Sequence, residues 1–134
     1  MNVRLTNMEA NVQGVKDELL DFCRGLPGAT EDVKWGHHIV FSVGDRMFAM
    51  FDVGDSDLLR FKVSEGVFPI LTREPGISPA PYLARQSWVL LDHTRVLPRE
   101  EIQDLLRESH ELVAAKLTKR LRRELGIETQ PSRG

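Results

Sequence analysis

The chain has 134 residues, of which 41% are hydrophobic and 28% charged, with a net charge of −2. That length suits one domain with a sizeable core, the balance is that of an ordinary globular protein, and a near-neutral charge argues against a dedicated polyanion binder while leaving room for a local basic face. The single cysteine, Cys23, excludes an internal disulfide, and no apolar run approaches the roughly 18 residues of a membrane span.

The opening MNVRLTNMEANVQG lacks the apolar stretch of a signal peptide. Together with the lone cysteine, this reads as a cytoplasmic protein. Val12, Val15, Leu19, Phe22 and Cys23 then fall at three- and four-residue spacings, the stripe of an amphipathic helix. Thr6 and Glu9 have the spacing of a capping box. Gly25-Leu26-Pro27 is the stop signal, with Gly25 suited to a left-handed turn. Cys23 lies on the apolar stripe and is expected to be a buried small hydrophobe rather than a reactive thiol.

Pro27-Gly28 turns the chain into a β-meander. Glu31 to Trp35 is the first strand. Ile39, Phe41 and Val43 mark one face of the second. Gly44-Asp45 is a two-residue hairpin link. Period-two reading of the third strand puts Met47, Ala49 and Phe51 on one face and Phe48 and Met50 on the other, apolar on both sides as in a central strand. In the fourth, Leu59, Phe61 and Val63 alternate with Leu58, Arg60 and Lys62, so the sheet has one wet face.

Ser64-Glu65 caps a short helix reaching about Arg73, with Pro69 near its start. Ile77 to Leu83 carries Pro79 and Pro81 and reads as an ordered loop or single turn. Ser87 to Leu91 is the fifth strand, and its Trp88 could neighbour Trp35; both tryptophans read as packing residues. Pro98 opens one long helix to Leu125, with Ile102, Leu105, Leu106, Ser109, Leu112, Val113, Leu117 and Leu121 as its stripe. Gly126 ends it, leaving a frayed tail to Gly134. The fold expected is α+β: an antiparallel sheet of about five strands, with the terminal helices on one face. Residues 1–134 form one domain, ordered from about 7 to 125.

Four groups of residues could carry chemistry. His37-His38 suggests a metal, but neighbours on a strand point to opposite faces and no third ligand stands at a recognisable spacing, so a polar turn is expected and no metal or cofactor. Cys23 has no local partner signature for a nucleophile–base pair. Lys116, Lys119, Arg120 and Arg123 cluster at the end of the last helix, where cations complement the helix dipole; they could equally form a secondary anion patch. Lys34, Arg46, Arg60 and Lys62 lie on neighbouring strands near tight turns. There they would either solubilise the sheet or meet phosphates.

The order and spacing of several short runs resemble the MmcQ/YjbR family of small bacterial proteins. These runs are Leu26-Pro27-Gly28, Trp35-Gly36, Arg46-Met47-Phe48-Ala49, Leu59-Arg60-Phe61-Lys62-Val63, Pro79-Ala80-Pro81-Tyr82-Leu83, Trp88-Val89, and Ser109 with Leu112-Val113. The resemblance spans about Val12 to Arg123. It implies a frataxin-like (CyaY-like) α+β architecture and suggests double-stranded DNA as a ligand of a double-wing sheet, with Lys34, Arg46, Arg60 and Lys62 as its phosphate contacts. Arg46 stands where a lysine is usual, and His110 where an aromatic such as tyrosine is common. The first helix mixes Lys16 and Arg24 among Glu9, Asp17, Glu18 and Asp21, so frataxin-type iron binding is not carried over. The alternative is a protein- or small-ligand-binding module that uses the same face or the segment near Pro79 to Tyr82. No enzyme signature is legible. A monomer or weak dimer is expected, away from membranes.

Overall fold

A computed structural model describes residues 3–127, with side chains described from residue 14 onward. Helix α1 (Val3–Arg24) leads into strands β1 (Ala29–Lys34), β2 (His38–Val43), β3 (Arg46–Asp52) and β4 (Leu59–Lys62). A short helix α2 (Phe68–Leu71) precedes β5 (Ile77–Pro79) and β6 (Trp88–Leu91), and helices α3 (Arg99–Ala114) and α4 (Lys119–Glu124) follow. The six strands form one antiparallel sheet in the order β1-β2-β3-β4-β6-β5. The architecture is the α+β class expected. The later strand, β6, pairs with β4, and Ile77–Pro79 forms a sixth strand on its far side where a loop was expected. Proline is tolerated there because β5 is an edge. The proposed capping box at Thr6 and Glu9, the Val12 position of the first stripe and the tail 128–134 lie outside the described residues or side chains. Gly126 and Ile127 are still tied in: the Ile127 amide bonds Arg122 O at 2.9 Å, and its side chain packs on the core.

One face of the sheet carries the core. Leu19 and Cys23 of α1 meet Phe41, Phe51, Leu59, Phe61 and Leu91 of the strands and Ile102, Leu106 and Val113 of α3, all buried. Burial removes Cys23 from solvent and pushes its thiol well above its ordinary value, with only Arg24 opposing. The first helix stops at Arg24 as expected, but the left-handed glycine is Gly28 (φ +70°), not Gly25.

Two corrections follow from backbone detail. Along β3, Phe41 pairs with Ala49 but Ser42 pairs with Met47, so Phe48 is an extra, bulged residue. A bulge shifts the side-chain period by one. Phe48 therefore joins Ala49 and Phe51 in the core, while Met47 moves to the opposite face beside Met50. The long last helix is also interrupted. α3 ends at Ala114, and Thr118 starts α4 by accepting a 3.1 Å bond from Leu121 N at its hydroxyl. The break buries Leu117 and lets Leu117 and Leu121 close on Gly44 of the β2–β3 turn, where an added Cβ would lie 3.0 and 3.2 Å from them.

The opposite face is only partly wet. Val40, Met50, Ala80 and Trp88 form a small buried cluster, with Met47, Leu83 and Leu90 packed against it. The two tryptophans are not neighbours: Trp88 is buried on β6, whereas Trp35 sits in the β1–β2 turn at φ +56° and is 63% exposed.

Candidate functional site

The antiparallel register separates the four sheet cations into distinct environments. Lys34 opposes His38 at one end of β2; Arg46 opposes Val43 at the other. Lys34 therefore does not join Arg46. Its ammonium lies 5.9 Å from the Trp35 ring at the sheet edge.

Arg60 is likewise committed elsewhere. Its guanidinium bonds Asp52 at 3.1 Å, and the same carboxylate accepts from His38 Nδ1 at 2.7 Å and Ser56 Oγ at 3.0 Å. All four side chains belong to the end of the sheet where β3 leaves for β4. Burial pushes the Asp52 carboxyl up, but the bonds from His38 and Arg60 outweigh it and hold the group below its ordinary value. Beneath this cluster the buried Lys16 ammonium donates to the carbonyls of Asp52, Gly54 and Ser56 at 2.7, 2.9 and 2.6 Å. Three protons meet three acceptors, so the lysine staples the β3–β4 loop. Asp57 then accepts from Thr94 N and Oγ1, tying that loop to the β6–α3 connection. Sequence reading treated Lys16 as one charge of a mixed helix; only the fold shows its carbonyl partners.

At the opposite end three cations converge. Arg46 from the start of β3, Lys62 from the end of β4 and Lys116 from the α3–α4 break line one pocket of about 380 Å³. Gln86 and Asp45 add polar groups to its wall; Met47, Leu83, Trp88 and Val113 supply an apolar side. Lys62 Nζ donates to Gln86 O at 2.6 Å. Its ammonium is destabilised first by burial and then by repulsion from Lys116, so its pKa lies below that of an ordinary lysine. Among the described residues neither Arg46 nor Lys116 has a hydrogen-bond or ion-pair partner. The sequence placed Lys116 in a separate patch, and the interruption of the last helix is what brings it here.

The rest of that patch does not join the pocket. Lys119, Arg120 and Arg123 are exposed on α4, and Arg120 bonds Glu124 at 3.2 Å. Arg122, also in this basic stretch, instead caps α3 by donating to the carbonyls of Ala114, Ala115 and Leu117. A second pocket, lined by Val15 and residues 94–99, contains Arg99, which is paired with Glu18 and Glu100 at 2.8 Å each.

The remaining histidines have assigned surroundings. The His37 and His38 rings meet at a 51° tilt with centroids 4.1 Å apart, because His37 lies in the turn rather than the strand. His110 is buried, meets Phe48 edge-on at 5.2 Å and directs Nε2 at Pro27 O at 2.7 Å; since a carbonyl only accepts, Nε2 carries the proton. Among the described residues no three His, Cys, Asp or Glu side chains come together as a metal set, and no helix is long and apolar enough to cross a membrane.

Comparison with known proteins agrees with this architecture. The YjbR family model matches residues 24–112. The fold is similar to the crystal structure of a Deinococcus radiodurans protein with a DUF419 domain, at 33% identity and a TM-score of 0.75, covering 84% of this chain and 88% of that one. It is also similar to a Pseudomonas syringae protein at 22% identity and a TM-score of 0.60, covering 72% and 97% respectively; that likeness bears on the fold alone. No curated protein matches the sequence. The chain belongs to the YjbR family.

Proposed function

We propose that this YjbR-family chain is a non-catalytic binding module for a small organic anion, held in the Arg46–Lys62–Lys116 pocket. The observation that carries the reading is the convergence of three cations from separate elements on one pocket that holds a single carboxylate, Asp45, with neither Arg46 nor Lys116 in an ion pair among the described residues. Placing Lys62 beside Lys116 costs electrostatic energy that a bound phosphate or carboxylate would relieve. The apolar wall of Met47, Leu83, Trp88 and Val113 suits the organic part of such a ligand, and Asp45 can accept from a hydroxyl or amine.

Duplex DNA, which the family resemblance suggests, would draw on the same cations. The geometry supports it less. Arg60 is engaged by Asp52, Lys34 lies at the far end of the sheet, and the β2–β3 turn packs against Leu117 and Leu121.

Isothermal titration with inorganic phosphate and a panel of small phosphorylated and carboxylated compounds tests the proposal, beside a salt series with fluorescent duplex DNA. Saturable small-anion binding, lost in Arg46→Met and Lys116→Met, is expected. Salt-sensitive binding of duplex alone would replace this reading with the DNA one. Binding of neither would overturn both.

A further inference from the structure

We propose that the outer edge of β1 is a homodimer interface, where two copies pair antiparallel with Val33 opposite Val33 on the two-fold axis and join their sheets. β1 is the terminal strand of the sheet. Apart from Ala29 N, which bonds Leu26 O, no β1 backbone group is bonded outside the β1–β2 pair among the described residues. An unpaired strand edge is a template for another strand. Val33 is 57% exposed there and Trp35, at the end of the strand, is 63% exposed. Val33 sits beside Ile39, which packs on the main core, so covering Val33 would extend that core across two copies.

The charges of β1 select the register. A two-fold axis perpendicular to the sheet keeps both helix layers on one side and sets residues of like facing opposite each other. Placing Glu31, Asp32 or Lys34 on the axis brings that charge against its own copy, which opposes pairing. Placing Val33 on the axis avoids all three clashes. Asp32 then faces Lys34 of the other copy, twice, and Glu31, whose carboxylate holds Arg24 at 2.7 and 3.0 Å, falls near the Trp35 turn of the other copy. Charged edge strands ordinarily deter association; this arrangement deters every neighbouring register and favours one. The aromatic in a left-handed turn residue, an unfavourable choice for a non-glycine, gains a surface to cover. This inference uses none of the pocket residues.

Light scattering coupled to size exclusion, over a concentration series, tests it on the full chain. Wild type is expected to approach twice the chain mass. Asp32→Lys, at an exposed edge position, and Lys34→Asp, at a half-buried one, each place like charges opposite one another and are expected to weaken association by roughly tenfold or more. The double variant Asp32→Lys/Lys34→Asp restores both pairs and is expected to recover the dimer. Val33→Cys is expected to cross-link under mild oxidation, because directly opposed antiparallel residues lie about 4.5–5.5 Å apart. The native Cys23 is buried and takes no part. A wild type that stays monomeric overturns the proposal, as do single variants that dimerise normally or a double variant that does not recover.

Discussion

The Ser109 hydroxyl donates to Phe48 O at 2.7 Å and accepts from Lys62 N at 3.1 Å. Phe48 is the bulged residue of β3, and the β3–β4 register ends one residue short of it, at Ala49 and Phe61. One side chain from α3 thus stands in for the ladder bond that the bulge removes, and it couples helix to sheet beside the pocket. Ser109→Ala leaves a buried carbonyl and a part-buried amide without partners. A loss of about 1–3 kcal/mol in urea unfolding is expected; a loss within error would show that water replaces the hydroxyl.

Lys16 holds three carbonyls of the β3–β4 connection from a position only 3% exposed. Lys16→Met keeps the stem and removes the donors. Stability should fall by about 1.5–3 kcal/mol, the range for a hydrogen-bonded charged group. Amide exchange of residues 53–57 should accelerate more than that of β2. Uniform acceleration would mean the lysine is a global rather than a loop anchor.

The Asp52 carboxyl is depressed in the folded state, because the bonds from His38 and Arg60 outweigh the opposing effect of burial. A folded pKa below the unfolded one contributes stability above the unfolded value, and that contribution is lost as pH falls through the folded value. Wild-type stability should therefore decline in acid beginning near the ordinary carboxylate range and continuing below it. Asp52→Asn should be less stable at neutral pH and show a shallower acid slope, measured as urea midpoints at several pH values. Parallel slopes would assign the acid sensitivity to other carboxylates.

Lys62 gives the opposite signature. Burial, then Lys116, lowers its pKa, so its charge is lost at a lower pH than an ordinary lysine would lose it. Below that folded pKa the charged group costs stability, and the cost disappears as pH rises through it. Anion affinity should fall over the same alkaline window. Lys116→Met should move that window upward, toward the normal lysine range. NMR titration of the Lys62 side chain in wild type and in Lys116→Met reads this directly without a bound anion, and an unmoved window would remove Lys116 as a cause.

Gly44 has φ +64° and lies under Leu117 and Leu121. Gly44→Ala combines an unfavourable backbone region with a contact tighter than most. A loss of about 1–2 kcal/mol is expected for the left-handed residue alone, with a visible change in α4. Thermal unfolding and the chemical shifts of residues 117–125 would check both parts.

Much of the fold was legible in the residues because it rests on local rules. Alternation in β4, the Gly44-Asp45 link and the Gly25-Leu26-Pro27 stop each follow from a few neighbouring side chains. The family runs extended that reading to the whole α+β architecture. By itself the sequence determined the element types, the internal place of β3, the burial of Cys23 and which cations were worth watching. It did not determine their company. The bulge at Phe48 breaks the period on which face assignment depends, and nothing in RMFAMFD marks it; the hydroxyl that stabilises it comes from Ser109, 61 positions away. The interruption at residues 115–118 contradicts a continuous apolar stripe, because closing Leu117 on Gly44 outweighs helix continuity. Those two tertiary events decide the site. They draw Lys116 toward Arg46 and Lys62, while antiparallel register sends Lys34 to the far end of the sheet and Asp52 claims Arg60. Charge is a property of a residue, but whether a charge is spent or available depends on what the folded chain places within a few ångströms of it.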